Sequence, residues 1–145
     1  MNYWLFKSEP FKWSWDQQKA KGDVGEEWDG IRNYQARNNM RLMKLGDKAF
    51  FYHSREGLEV VGIAEVCALS HPDTTIDDER WDCVDIKAVC DMPVAVTLRD
   101  VKQNEKLAEM ALVKNTRLSV QPVREDEWVE VCRMGGLNGV TLKAL

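Results

Sequence analysis

The run Trp28-Asp29-Gly30-Ile31-Arg32-Asn33-Tyr34-Gln35-Ala36-Arg37-Asn38 is crowded with side chains that stack and donate hydrogen bonds. An indole, a phenol, two guanidiniums and three amides stand there beside a single acid. A helix built only to pack has no need of that mixture. It suits a site that holds a flat, polar, aromatic ligand, and a nucleobase fits that description. Two further polar clusters, Lys7-Ser8-Glu9-Pro10 and Tyr52-His53-Ser54-Arg55, each end a strand-like run. In Arg117-Leu118-Ser119-Val120-Gln121, alternation places Arg117, Ser119 and Gln121 on one face and Leu118 and Val120 on the other. Such a polar row can read a ligand edge. A half-exposed edge strand would show the same pattern.

Other chemistries find little support. The sequence contains no phosphate-binding glycine loop, no dinucleotide fingerprint, no zinc-protease motif and no nucleophile elbow. His53 and Ser54 are adjacent on an expected strand, so they point to opposite faces and form no dyad. The four cysteines, at positions 67, 83, 90 and 132, include no close pair, and only His53 and His71 accompany them. No metal and no cofactor is therefore expected, and free thiols in a reducing cytoplasm are. Of six tryptophans, Trp4 and Trp128 are expected in the core. Trp13 and Trp15 flank a helix cap and fit core or rim. Trp28 and Trp81 stand in turn-rich settings, where large aromatics make ligand walls.

The net charge of −4 excludes a protein that coats nucleic acid by bulk charge. The charge is uneven, however. Between Ile31 and Gly46 lie Arg32, Arg37, Arg41 and Lys44 with no acid, while Glu125 to Glu130 is strongly acidic. A local basic face suits capture of an anionic ligand. Arg41 and Lys44 read as an ordinary solvated face. No apolar run approaches the length of a membrane span, and the start of the chain passes directly into a strand pattern, so neither a membrane segment nor a signal peptide is expected.

Positioning these groups requires strands and short helices. Tyr3 to Lys7 predicts a first strand stopped by Pro10. Ser14-Trp15-Asp16-Gln17 is a capping box opening a helix to about Lys21. Asn33 caps a second helix, expected to run to Leu45 with Gly46 as its stop, and Ala36, Met40 and Met43 form its apolar stripe. Strands are expected over Lys48 to His53, Leu58 to Leu69, Cys83 to Cys90 and Arg117 to Gln121. The loop His71 to Arg80 reads as an exposed connection. Short helices follow Thr97 and Asn104, and Glu125 to Met134 is a helix closed by Gly135-Gly136. Five or six strands without regular strand–helix alternation exclude a Rossmann-like sheet. An α+β fold is expected, a mixed, partly closed barrel with peripheral short helices.

Four of these segments together, Tyr3 to Pro10, Trp28 to Asn38, Phe50 to Ser54 and Arg117 to Pro122, resemble the signature of the EVE domain family. That family includes the eukaryotic thymocyte nuclear protein and is related to the YTH domain. The resemblance spans residues 2–137 as a single domain, leaving 138–145 as a tail, and it implies a PUA-like fold. It implies a pocket surrounded by Lys7, Ser8, Trp28, Arg32, Asn33, Tyr34, Tyr52, His53, Ser54, Arg117, Ser119 and Gln121; Trp81 is a further candidate wall by its turn-rich setting alone. The loop before Trp81 is shorter than in the eukaryotic relatives. The resemblance further implies binding of a modified base in DNA or RNA, with modified cytosine as the favoured class; the leading expectation is a non-catalytic reader of modified cytosine or methylated adenine, and a monomer. In that reading the base flips from its strand, Trp28 stacks on it, and Arg32, Arg37 and Arg117 meet phosphate. Two alternatives stand beside it. One is a hydrolase of modified nucleosides using Lys7 with Glu9 or Glu65. The other is an RNA-binding accessory module indifferent to modification.

Overall fold

The computed structural model describes residues 1–139 and 145, so most of the expected tail lies outside the described residues. β1 (Tyr3–Ser8) is apolar on both faces because both faces are buried. Trp4 and Phe6 enter one apolar cluster and Leu5 another. β3 (Lys48–His53) does the same, sending Ala49 and Phe51 to the first side and Phe50 and Tyr52 to the second. A strand covered on both sides reads as a continuous apolar run rather than an alternation. Phe6, Phe50 and Phe51 are fully buried, each stabilising the fold by roughly 1.5–3 kcal/mol. β1 and β3 pair in parallel, Lys7 opposite Tyr52 and Ser8 opposite His53.

The other strands are β2 (Glu26–Glu27), β4 (Glu59–Pro72), β5 (Asp82–Thr97) and β6 (Val120–Val123). All six form one mixed sheet in the order β2-β5-β4-β3-β1-β6. The α+β class is as expected, but the sheet does not close: among the described residues β2 and β6 remain its two edges. Helix α2 (Tyr34–Leu42) packs against both β5 and β6. Its Asn39 Nδ2 donates to the Val120 carbonyl at 2.8 Å, and its Arg41 pairs with Asp82. A helix thus ties the two sides where a barrel would be sealed by strand pairing.

Helix α1 (Trp15–Ala20) begins with the expected capping box of Ser14 and Gln17. Asn33 caps α2 as expected, its Oδ1 accepting from the Ala36 amide at 2.9 Å. Helix α2 ends at Leu42, however, not Leu45. The cause is buried Asp47, whose Oδ2 accepts from the Lys44 amide and from Trp4 Nε1, both at 3.0 Å. That carboxylate draws the chain out of the helix, and Gly46, at φ +88°, turns it into β3. Helices α3 (Leu98–Gln103), α4 (Ala111–Lys114) and α5 (Glu125–Met134) cover the face holding Leu5 and Phe50. The short α4 was not expected.

Strands β4 and β5 outrun their predicted ends and shift register repeatedly along their pairing. Such bulges bend a long ribbon. Trp15 packs directly on Gly62 beside one of them. A Cβ at Gly62 would stand 2.2 Å from Trp15 Cζ2. Gly62→Ala is therefore expected to lower unfolding free energy by about 1–3 kcal/mol, the usual cost of overpacking. Urea denaturation reads this as a reduced midpoint at an unchanged slope.

Candidate ligand-binding site

The C-terminal end of β1 carries Lys7 and Ser8 to one lip of the sheet. Neighbouring segments are pinned there by main-chain bonds: Lys7 N–H donates to Ser119 O and Ser54 N–H donates to Ser8 O, both at 2.9 Å. Past Pro10 the chain doubles back, with the Lys12 and Trp13 amides donating to Glu9 O. Ser8 Oγ donates to Trp13 O, which holds that turn closed. Trp13 Nε1 then donates to Gln18 Oε1 at 2.9 Å, and Gln18 Nε2 donates to Ile86 O at 3.0 Å. This chain of bonds stands Trp13 beside Trp28.

Between them lies a cavity of about 460 Å³, lined by Lys7, Ser8, Glu9, Lys12, Trp13, Glu26, Glu27, Trp28, Asp29, Gly30 and Ile31. Trp28 itself is nearly buried, meeting Phe6 and Phe51 edge-on at 5.2 and 5.6 Å between ring centroids. Its Nε1 has no hydrogen-bond partner among the described residues, which leaves an indole donor at the cavity wall. Glu26, Glu27 and Asp29 make the far lip acidic. Burial raises the pKa of Asp29, with the charges of Asp73, Glu26 and Glu27 adding to it.

A second cavity, of about 590 Å³, shares Lys7 and Glu9 with the first and is also lined by Tyr52, Ser54, Arg55, Thr116, Arg117 and Ser119. Lys7 Nζ donates to Thr116 O at 2.8 Å, and burial lowers its pKa. Burial also pushes the Tyr52 phenol up to about 12. Arg117 is exposed and has no ion pair among the described residues.

The remaining expected residues lie elsewhere. Tyr34 stacks on Trp81 at 4.9 Å, Arg37 lies over Tyr34 at 4.7 Å, and Arg32 lies over Trp81 at 5.6 Å. This ladder lines neither cavity, so Arg32, Tyr34, Arg37 and Trp81 do not join Trp28 as walls. Nor does Asn33, whose side-chain oxygen caps α2. The guanidiniums are also engaged: Arg32 Nη1 meets Asp73 Oδ2 at 3.0 Å, and Arg37 donates to Arg80 O and Asn38 Oδ1. His53 points inward, its Nε2 accepting from the Trp15 amide at 3.0 Å, and burial lowers its pKa. Gln121 continues the row of Arg117 and Ser119 but is wholly buried, its Nε2 donating to Asn115 O and Leu118 O. The row sinks because β6 starts only at Val120 and enters the core. Glu65 meets Lys48 and Lys87 rather than Lys7, which leaves Glu9 as the carboxylate near Lys7.

Sequence reasoning left Trp13 open between core and rim and missed the acids Glu26 and Glu27. Their signal was present as the acidic flank of Trp28, which emphasis on the basic run after it obscured. The loop His71 to Arg80 also does more than connect. Asp73 is buried, and its carboxylate accepts from Gly30 N at 2.9 Å, from Arg32, and from Thr75.

An open mixed sheet with helices about it and a polar, indole-lined cup at one lip is consistent with a PUA-like fold. The chain belongs to the EVE domain family, whose model matches residues 2–134. Mouse thymocyte nuclear protein 1 is 36% identical, over 88% of this chain and 70% of its own length. A crystal structure of an Agrobacterium tumefaciens protein is 72% identical, covers 96% of both chains and superposes with a TM-score of 0.95. The human THYN1 protein, solved in complex with 5-methylcytosine containing DNA, is 32% identical with a TM-score of 0.87, covering 93% of this chain and 98% of that one. The YTH domain of Zygosaccharomyces rouxii MRB1, solved with N6-methyladenosine RNA, has 17% identity and a TM-score of 0.55 over 94% and 88% of the chains, a likeness of fold.

Asp73 gives this site a pH signature. Burial alone would raise its carboxyl, but hydrogen bonds from Thr75, Gly30 and Arg32 outweigh that and hold it well below the usual carboxylate range. A depressed folded pKa contributes stability above the unfolded value, near 3.9, and loses it as pH falls through the folded value. Asp73→Asn is expected to cost about 1–3 kcal/mol at neutral pH. The gap from the natural chain should hold flat from pH 7 to about 5 and shrink below about 4. Chemical denaturation across that range measures it.

Proposed function

We propose that this protein reads a modified nucleobase in nucleic acid by accepting the flipped base into the Trp13–Trp28 cavity. The observation that carries the proposal is the content of that cavity: two indoles, one with a free N–H donor, facing a lip of carboxylates. Its volume lies within the usual range for small-ligand pockets, roughly 300–1,000 Å³. The complex of human THYN1 with 5-methylcytosine containing DNA supports the ligand class.

The indoles supply stacking surface, worth about 1–3 kcal/mol per base. The carboxylates of Glu26, Glu27 and Asp29 accept from an exocyclic amine, which cytosine and adenine carry. Guanine also carries such an amine, whereas the keto group of thymine would face the acids without a proton to share. An added methyl fills apolar volume beside the indoles, and weakened pairing lowers the cost of flipping. The second cavity continues the path through Lys7 and meets the strand with Arg117 and Arg55. The negative charge of the whole chain then disfavours plain polyanions that offer no base to the cup. Four free cysteines fit a reducing cytoplasm as the working compartment.

A hydrolase reading is favoured by one observation, a half-buried Lys7 with lowered pKa sharing both cavities with Glu9. A lysine so tuned can act as a base. Incubation with methylated and acetylated nucleosides followed by mass spectrometry decides this: new products favour the enzyme, unchanged substrates the reader.

Titration of fluorescent oligonucleotides carrying 5-methylcytosine, N6-methyladenine or plain bases tests the main proposal. Trp13→Ala is expected to weaken the preferred modified ligand about 5- to 150-fold, matching the loss of one stacking wall. Trp28→Phe, which keeps an apolar ring in the core, should weaken it through the lost N–H. Equal affinity for all oligonucleotides, or indifference to both substitutions in folded protein, overturns the reading. Arg117→Ala is expected to lower affinity uniformly and to reduce the salt slope by about one, leaving the ratio of modified to plain binding unchanged.

A further inference from the structure

Beside the first cavity, four metal-ligating side chains share one face of three adjoining strands. Cys83 and Asp85 are two residues apart on β5 and so project to the same side. His71 on β4 stands opposite Cys83, and Glu27 on β2 stands opposite Asp85. Directly opposed residues in antiparallel strands bring their side chains together. The register therefore gathers the four residues into a block across three strands, in which one donor atom from each lies within 4.8 Å of the others. Linear spacing shows nothing of this, which is why no metal was expected from the sequence.

The distances suit a small cation. His71 Nδ1 is 3.8 Å from Cys83 Sγ and 4.0 Å from Glu27 Oε1. Around tetrahedral zinc, with bonds of roughly 2.0–2.3 Å, donors stand about 3.3–3.8 Å apart, so small side-chain rotations suffice. On the other side of the ring, His71 Nε2 is 2.8 Å from Asp85 Oδ1. A carboxylate holding the far nitrogen is how metal-bound imidazoles are commonly oriented. The charge points the same way. Among the described residues no lysine or arginine pairs with Glu27 or Asp85, and His71 is the block's only cationic partner.

We propose that Glu27, His71 and Cys83 bind one zinc-class divalent cation, with Asp85 holding the imidazole from its other nitrogen. The cation replaces the Cys83 thiol proton and any proton on His71 Nδ1, and both leave to solvent. Three protein ligands leave a fourth position for water. The mixture of sulfur, nitrogen and oxygen excludes magnesium and calcium, which take oxygen ligands. The site shares Glu27 with the first cavity, where Glu26 and Asp29 remain to face a base when Glu27 is bound to the cation.

Chelator-stripped full-length protein, without nucleic acid, is titrated with Co²⁺ and then with Zn²⁺. One equivalent of Co²⁺ should produce visible ligand-field bands and a near-ultraviolet thiolate-to-cobalt band, both bleached by Zn²⁺. Cys83→Ser should abolish the thiolate band, and His71→Ala, at a half-exposed position, should weaken binding at least about tenfold. Cys67→Ser should change neither. Circular dichroism establishes that each variant is folded; if Cys83→Ser is not, His71→Ala and His71→Asn carry the test. Absence of the bands in the natural chain overturns the proposal, and so does their persistence in the His71 variants. The readout contains no base, so failure here leaves the base-reading proposal untouched.

Discussion

The mouth of this protein depends on β1 being held in one register between β3 and β6. Parallel pairing with β3 places Lys7 and Ser8 beside Tyr52 and His53, and antiparallel pairing with β6 brings Ser119 against Lys7. A slip of one residue would exchange Phe6 and Lys7 between core and cavity. Large rings oppose it: Trp4, Phe6 and Phe51 fill one face while Leu5 and Phe50 fill the other. The polar cup is thus held by the apolar strand that feeds it. Three clusters distant in sequence meet because each ends a strand, or abuts one, in the same part of the sheet.

The mouth is also divided electrically. On one side the second cavity offers Arg55 and Arg117. On the other, Glu26, Glu27 and Asp29 gather around Trp28, and Asp73 lies buried beneath them, tied to Gly30 and Arg32. Arg32 is thereby drawn away from the mouth into the Trp81 ladder. A loop that would otherwise swing is anchored by a carboxylate whose charge three donors sustain.

Local rules exposed much of this in the sequence. The capping box at Ser14, the Asn33 cap, the extent of β3 and helix Glu125–Met134 depend on neighbours in the chain, and they were legible. What escaped depends on partners far away. Asp47 ends α2 early because Trp4 and Asn2 hold it in place from the chain start. Gln121 matches the polar alternation of Arg117 and Ser119, yet its depth follows from where β6 enters the core. Arg32, Tyr34 and Arg37 have the right chemistry for a ligand, but Asp73 and Trp81, forty residues on, claim them. Trp13 was recognised as core or rim, and only the turn sealed by Ser8 shows which.

An unclosed sheet ordinarily invites another chain to add a strand to it. Here both borders discourage that. β2 is two residues long, and both are glutamates, so a stranger would find little backbone to pair with and two negative charges beside it. β6 carries Pro122, which has no N–H to offer. Short length, like charge and proline are how natural sheets keep their margins from recruiting neighbours. The gap left where the barrel fails to seal is therefore guarded by composition, and the fold can leave its rim open for a ligand without becoming a template for aggregation.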